Sequence, residues 1–248
     1  MSLAILLIIL VLIAFFVRND AAEYRDFKLL TRTEDRQRSF RRWTLKSFLL
    51  FSGTAALGLG LLRQLNYLLA FPAQFAPAML WIQSRVPVHD LSGGFLAGLL
   101  ASVVAGSLVV PLLSRKKKPT VLGDILPLMP RNANETWHAA LLSLNAGFSE
   151  EFFFRLFLPV LLVNLHAGLI AAFLLPALIF GLIHLYQGAL GIVATTILGL
   201  MLTAVYLATA SLLVAICVHA GIDLLNLVVR PTLMRLVAQK DEALQKNG

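Results

Sequence analysis

Two adjacent carboxylates and an arginine, Glu150, Glu151 and Arg155, stand inside an otherwise apolar run from Trp137 to Leu165. A charged side chain at the centre of a membrane helix costs about 2.5–3.5 kcal/mol, so three together must be paired, solvated or functional. At helical spacing Glu151 and Arg155 are i and i+4 with the acid N-terminal, the better orientation for an ion pair, while Glu150 is turned about 100° away. The pair reads as structural and Glu150 is left without a local partner. The remaining ionisable residues in the late hydrophobic runs are His184, His219 and Asp223. Phe180 and His184 share one helix face, as do His219 and Asp223. Three helices can thus aim Glu150, His184, His219 and Asp223 at one point. Gly147, Gly181 and Gly221 lie near these groups and would allow the helices to approach closely.

Two chemistries fit such a set. A carboxylate beside two imidazoles in a partly dry site is a general base on water. The same four residues, Glu150, His184, His219 and Asp223, could instead ligate a divalent metal such as zinc, because two His and a carboxylate with an open position is a catalytic zinc arrangement. In both, water is the nucleophile and a hydrolysis follows. No span offers a serine–histidine dyad, and Asp223 is the only aspartate in the later spans, which argues against a paired-aspartate site.

The elements that must hold these residues are membrane helices. Of the 248 residues 58% are hydrophobic and 14% charged, with a mean hydropathy of +0.81, values outside the range of soluble domains. The net charge of +8 sits in short segments beside hydrophobic runs, where positive-inside topology and anionic headgroups account for it; nucleic acid is not an expected partner. The single cysteine, Cys217, allows no intrachain disulfide and reads as a small core residue.

Met1 to Val17 reads as a retained anchor, without the basic start or small-residue cleavage site of a signal peptide. Arg18 to Arg42 is a basic juxtamembrane segment, and a second span runs from Leu45 to Leu62. Leu65 to Trp81 carries Pro72 and Pro77 and is expected to be interfacial, since counting it as a span would put Arg115-Lys116-Lys117-Lys118 opposite the basic N-terminal segment. A third span, Leu91 to Leu113, has Gly94, Gly98, Ser102 and Gly106 on a small-residue packing face. Four more follow: Trp137 to Leu165, Ala167 to Tyr186, Ala189 to Ala208, and Leu212 to Val229, the last ended by Arg230-Pro231. The expected fold is all-α, a polytopic transmembrane bundle of about seven spans, eight if residues 65–83 cross, with a four-helix catalytic core. Its expected divisions are an anchor and juxtamembrane segment (1–43), an accessory region (44–136), the core (137–230) and a tail (231–248). Phe152, Phe153 and Phe154 are expected to face lipid and neighbouring helices, and Asn145 and Asn226 to serve helix packing; His89, His138 and His166, near span ends, are assigned no role.

Glu150-Glu151-Phe-Phe-Phe-Arg155, Phe180-Gly-Leu-Ile-His184 and His219-Ala-Gly-Ile-Asp223, in that order on separate spans, resemble the three motifs of the CAAX-protease and bacteriocin-processing (CPBP, or Abi) intramembrane proteases. The resemblance covers Trp137 to about Val229. It implies an integral membrane endopeptidase, glutamate-type or metal-dependent, that processes membrane-anchored proteins or peptides in the bilayer. By resemblance Glu150 activates the water with help from His184. His219 and Asp223 complete the site as metal ligands or oxyanion stabilisers, and Glu151 and Arg155 support it. The prenyl-processing branch usually has asparagine where this chain has Asp223. An ionised aspartate cannot donate to an oxyanion, so Asp223 should orient His219, bind a metal or stay protonated. Two other classes place such residues in a membrane: a proton-coupled transporter, for which internal repeats and broken helices are expected, and a non-catalytic immunity or interaction protein. The charge bias puts the basic loops in the cytoplasm, with the protein in the plasma (inner) membrane if bacterial.

Overall fold

The computed structural model describes residues 1–85 and 123–246, with the isolated positions 98 and 101, and the side chains as far as residue 239. The described residues are all-helical, and the third span expected at Leu91 to Leu113, its small-residue face, the tri-lysine run and His89 lie outside them. The elements are α1 (Ser2–Leu29), α2 (Thr33–Leu61), α3 (Ala76–Gln83), α4 (133–164), α5 (Leu169–Ile183), α6 (Gly188–Thr209) and α7 (212–246). Ser2–Leu29, Thr33–Leu61, Leu185–Thr209 and Leu212–Gln239 are each long and apolar enough to cross a membrane, and α5 is a shorter apolar helix. The protein is an integral membrane helix bundle.

Several boundaries differ from expectation for identifiable reasons. The anchor does not stop at Val17, because nothing in Arg18 to Lys28 breaks a helix, and α1 continues to Leu29. The second span likewise begins in the basic segment, at Thr33. Leu65 to Trp81 is not one helix: two short 3₁₀ turns precede α3, whose 8 residues reach about 12 Å, too short to cross. Arg230-Pro231 does not end α7. Pro231 lacks an N–H and its ring crowds the carbonyl four residues back, but that residue falls in a wider π-helical turn, Leu225–Val229, which absorbs the misfit and lets the helix run on to Lys246.

α4 is the central helix. Asn132 caps its start by accepting from the Glu135 N–H at 3.0 Å, and His166, at φ 62°, follows its end. Between them the helix widens into a π segment, Phe152–Phe157, in which all six side chains are buried. The three phenylalanines therefore line the core instead of facing lipid: Phe153 and Phe154 pack on Phe51 of α2, and Phe154 meets Phe180 of α5. α2 and α4 run side by side in parallel, joined by a fully buried Arg36–Glu135 pair at 3.0 Å and by Asn145, which donates to Ser47 Oγ at 2.8 Å and to the Thr44 carbonyl at 3.2 Å. On its other side α4 meets α7 where Gly147 touches Ala220; a Cβ on Gly147 would lie 2.6 Å from the Ala220 Cβ. α5 and α6 approach at Gly181, against Thr196 and the Ile192 carbonyl. Gly221 meets nothing within 4 Å, so it does not serve the close approach expected of it. Cys217 is exposed on α7, not in the core.

The basic segments gather at one end of the bundle. Lys28 reaches Asp124 at 2.6 Å, Arg36 reaches Glu135, and Arg235 donates to the Pro130 carbonyl at 3.2 Å and to Thr136 at 2.9 Å. Arg63 and the Gln64–Asn164 amide pair lie at the opposite helix ends.

Candidate active site

α4 delivers Glu150 and Glu151 at the end of its regular turns and Arg155 in the π segment. Glu151 is fully buried, with Oε2 3.0 Å from Arg155 Nε, the i, i+4 pair read from the spacing. Its other oxygen, Oε1, accepts from the Nδ1–H of His219 on α7 at 2.7 Å. The Arg155 guanidinium stacks 4.4 Å over the Phe180 ring of α5 and donates from Nη2 to the Gly199 carbonyl of α6 at 3.5 Å. One carboxylate and one arginine thus tie together all four of the late helices. A buried pair this well connected fixes geometry, since removing either partner strands the other's charge.

With Nδ1 held by Glu151, the Nε2 of His219 is turned toward the remaining acids. It lies 4.0 Å from Glu150 Oε2 and 3.8 Å from Asp223 Oδ2. Glu150 Oε2 is buried and has no hydrogen-bond partner among the described residues, whereas Asp223 is 27% exposed. His184 is half-buried just beyond the last residue of α5. Its Nδ1–H donates to the Phe180 carbonyl at 2.8 Å, which sets the tautomer and leaves Nε2 as an acceptor. The Phe180 ring touches both imidazoles, 5.0 Å from His184 and 5.7 Å from His219 between centroids. Glu150 and His184 line one cavity of roughly 80 Å³, room for a few waters. The expected convergence is therefore present in two parts: Glu150, His219 and Asp223 as a close cluster, and His184 across the cavity.

Residues 132–225 match the family model described as type II CAAX prenyl endopeptidase Rce1-like. This stretch is similar to the Rce1-like domains of the CAAX-protease family. No curated protein and no solved structure matches the chain.

The matched stretch carries every residue singled out from the motifs, but it does not enclose its own cavity. Phe16, Asp20 and Tyr24 of α1 and Trp43 and Lys46 of α2 form much of the wall facing Glu150 and His184. Lys46 bonds to Asp20 at 3.0 Å and Glu23 at 2.9 Å, and Trp43 donates to Glu23 at 2.7 Å. These wall residues were not singled out from sequence, where they merge with the juxtamembrane charges. The available signal was acids and a lysine at i, i+3 spacing beside apolar residues: Asp20 and Glu23, Trp43 and Lys46.

Among the described residues no three His, Cys, Asp or Glu side chains converge in an arrangement that would hold a metal ion. His219 Nε2 stands 3.8–4.0 Å from both carboxylates, and its Nδ1 is committed to Glu151. The donors as placed do not fit the metal site expected from sequence.

Proposed function

We propose that the protein is an intramembrane endopeptidase in which Glu150 is the general base and His219 stabilises the developing oxyanion. The observation that carries this reading is Glu150 itself: a carboxylate buried in the bundle, with one oxygen that accepts no hydrogen bond among the described residues, on a cavity it shares with His184. A water in that cavity gives a proton to Glu150 while the His184 Nε2 lone pair accepts its other hydrogen. The hydroxide adds to the scissile carbonyl carbon. The resulting oxyanion is met by His219 in its protonated form, donating from Nε2, with Glu151 and Arg155 holding the ring in place. The C–N bond then breaks and Glu150 returns the proton to the departing amine. Asp223, one turn from His219 and partly exposed, lies 3.8 Å from its Nε2 and borders the same reacting centre.

The substrate class proposed is a membrane-anchored protein or peptide, of the CAAX type named for the matching family or a leader-like peptide. The end of the bundle where the basic segments meet is proposed to face the cytoplasm. A comparison of peptide termini in membranes carrying wild type or Glu150→Gln at matched abundance tests the activity. A defined set of termini lost in the variant supports proteolysis and names the substrates. Identical profiles with a folded variant would reject it in favour of a binding role.

A further inference from the structure

On the outer side of the α2–α4 pair, away from the catalytic cavity, the two parallel helices leave a groove lined by Arg41, Leu45 and Phe48 of α2 and His138, Leu141 and Asn145 of α4. Its mouth is cationic and its floor apolar. α2 carries Arg36, Arg38, Arg41, Arg42 and Lys46. Arg36 is paired with Glu135, Arg38 with Asp35, Arg42 with Glu23, and Lys46 with Asp20 and Glu23. Arg41 has no carboxylate partner among the described residues. Its contact is His138, whose Nδ1–H donates to the Asn134 carbonyl at 2.8 Å, leaving Nε2 to accept from Arg41 Nη1 at 3.3 Å. That contact orients the guanidinium and leaves its other N–H groups free for an anion.

The level of this cation is set by its neighbours. Trp137, the residue before His138, is 66% exposed, the position an aromatic takes at the headgroup boundary. One to three turns deeper, Leu45, Phe48, Leu141, Leu144 and Phe148 are all exposed, and the Phe48 and Phe148 rings stack at 6.4 Å. A positive site at the interface above a continuous apolar track is complementary to a molecule with an anionic head and an acyl chain.

We propose that this groove binds an anionic phospholipid of the surrounding bilayer, with the phosphate on Arg41 and one acyl chain along Leu45, Phe48 and Leu141. The lipid bridges α2 to α4 on the face opposite the cavity wall and so braces the helix that carries Glu150.

The test uses the full chain, stripped of lipid in a neutral detergent and titrated with phosphatidylglycerol or phosphatidylcholine at equal mole fraction. Retained lipid is counted by native mass spectrometry and stability is read by thermal unfolding. Phosphatidylglycerol is expected to bind the wild type about tenfold more tightly than phosphatidylcholine, and Arg41→Gln to lose that preference. Arg41→Lys should keep part of it, and Arg38→Gln, at a cation already paired, should keep all of it. Equal binding of the two lipids by wild type would overturn the proposal whatever the variants do. An unchanged preference in Arg41→Gln would overturn it too. So would full reproduction of the stabilisation by inorganic phosphate or glycerol phosphate, which would make the site one for a free anion.

Discussion

Neighbouring isosteric substitutions at Glu150 and Glu151 should move stability in opposite directions. Glu151 accepts from His219 Nδ1–H at 2.7 Å and forms a buried ion pair with Arg155 Nε at 3.0 Å. Glutamine offers one acceptor oxygen and one NH₂, so Glu151→Gln sets donor against donor at one contact and leaves the Arg155 charge buried without a counter-ion. Breaking a buried pair in this way costs about 3–5 kcal/mol. Glu150 Oε2 has no such bond to lose, and the nearest cationic group, His219 Nε2, is 4.0 Å away. Glu150→Gln removes a buried carboxylate that accepts no hydrogen bond among the described residues and has only the long contact to His219 to lose, and it substitutes an amide that is itself partly unsatisfied, so its net effect is between zero and about 2 kcal/mol of stabilisation. Both variants should lose processing, Glu150→Gln for want of a base and Glu151→Gln because His219 is no longer oriented. The assay is equilibrium unfolding of the two variants and wild type in one detergent at fixed micelle composition, alongside the comparison of peptide termini. A Glu150→Gln variant as destabilised as Glu151→Gln would refute the reasoning. Glu150 would then be one more member of the structural network and not a base held at the expense of stability.

Three further outcomes follow from the same geometry. Gly147→Ala drives a methyl to within 2.6–2.9 Å of Ala220 atoms, backbone included, and should cost about 1–3 kcal/mol and most of the activity, while Gly221→Ala, with open space around it, stays within about 0.5 kcal/mol of wild type by thermal unfolding. Arg36→Met breaks the buried pair with Glu135 and releases the carbonyls of Pro127 and Met129, which Arg36 Nη2 holds at 2.9 and 3.3 Å; limited proteolysis should show new cleavage within residues 125–131 and stability should fall by about 3–5 kcal/mol. Lys46→Met changes the cavity wall without touching Glu150 chemistry, so on a substrate named by the comparison of termini it should alter KM several-fold with kcat retained; an equal fall in kcat and kcat/KM would place Lys46 in the transition state.

What was legible in the chain was the cost of charge in lipid. Six ionisable residues in the late spans stood out because each is expensive there, and the i, i+4 rule alone paired Glu151 with Arg155 at the spacing the structure has. The link from Glu151 to His219 was not legible, because which face of α7 meets α4 is decided by Gly147 seating on Ala220, a contact between residues 73 positions apart that no local period records. The burial of Phe152 to Phe154 was missed for a related reason. Six consecutive buried side chains have no amphipathic period, and only a helix surrounded on all sides, locally widened to a π turn, can hide them. The end of α7 was misplaced because Pro231 stops an ordinary helix, and the turn that accommodates it, Leu225–Val229, looks in sequence like any apolar run.

The catalytic cavity raises the same question at a larger scale. The matched stretch begins at residue 132, yet Glu150 and His184 look out on Phe16, Asp20 and Tyr24 of α1 and on Trp43 and Lys46 of α2. Much of the wall a substrate would touch is therefore supplied by helices that carry no motif. Their charges are balanced among themselves, Lys46 with Asp20 and Glu23, and Arg42 with Glu23, so the wall presents a polar network and not a net field. α1 itself is largely exposed and is held by few buried side chains, Ile9, Ile13, Tyr24 and Phe27. α1 is tied at one end by ion pairs and by the Tyr24 hydroxyl on the Asp124 carbonyl. If Glu150 and His184 are the reacting groups, the motif helices hold them in a buried core, and the first two helices supply the wall that a substrate would meet.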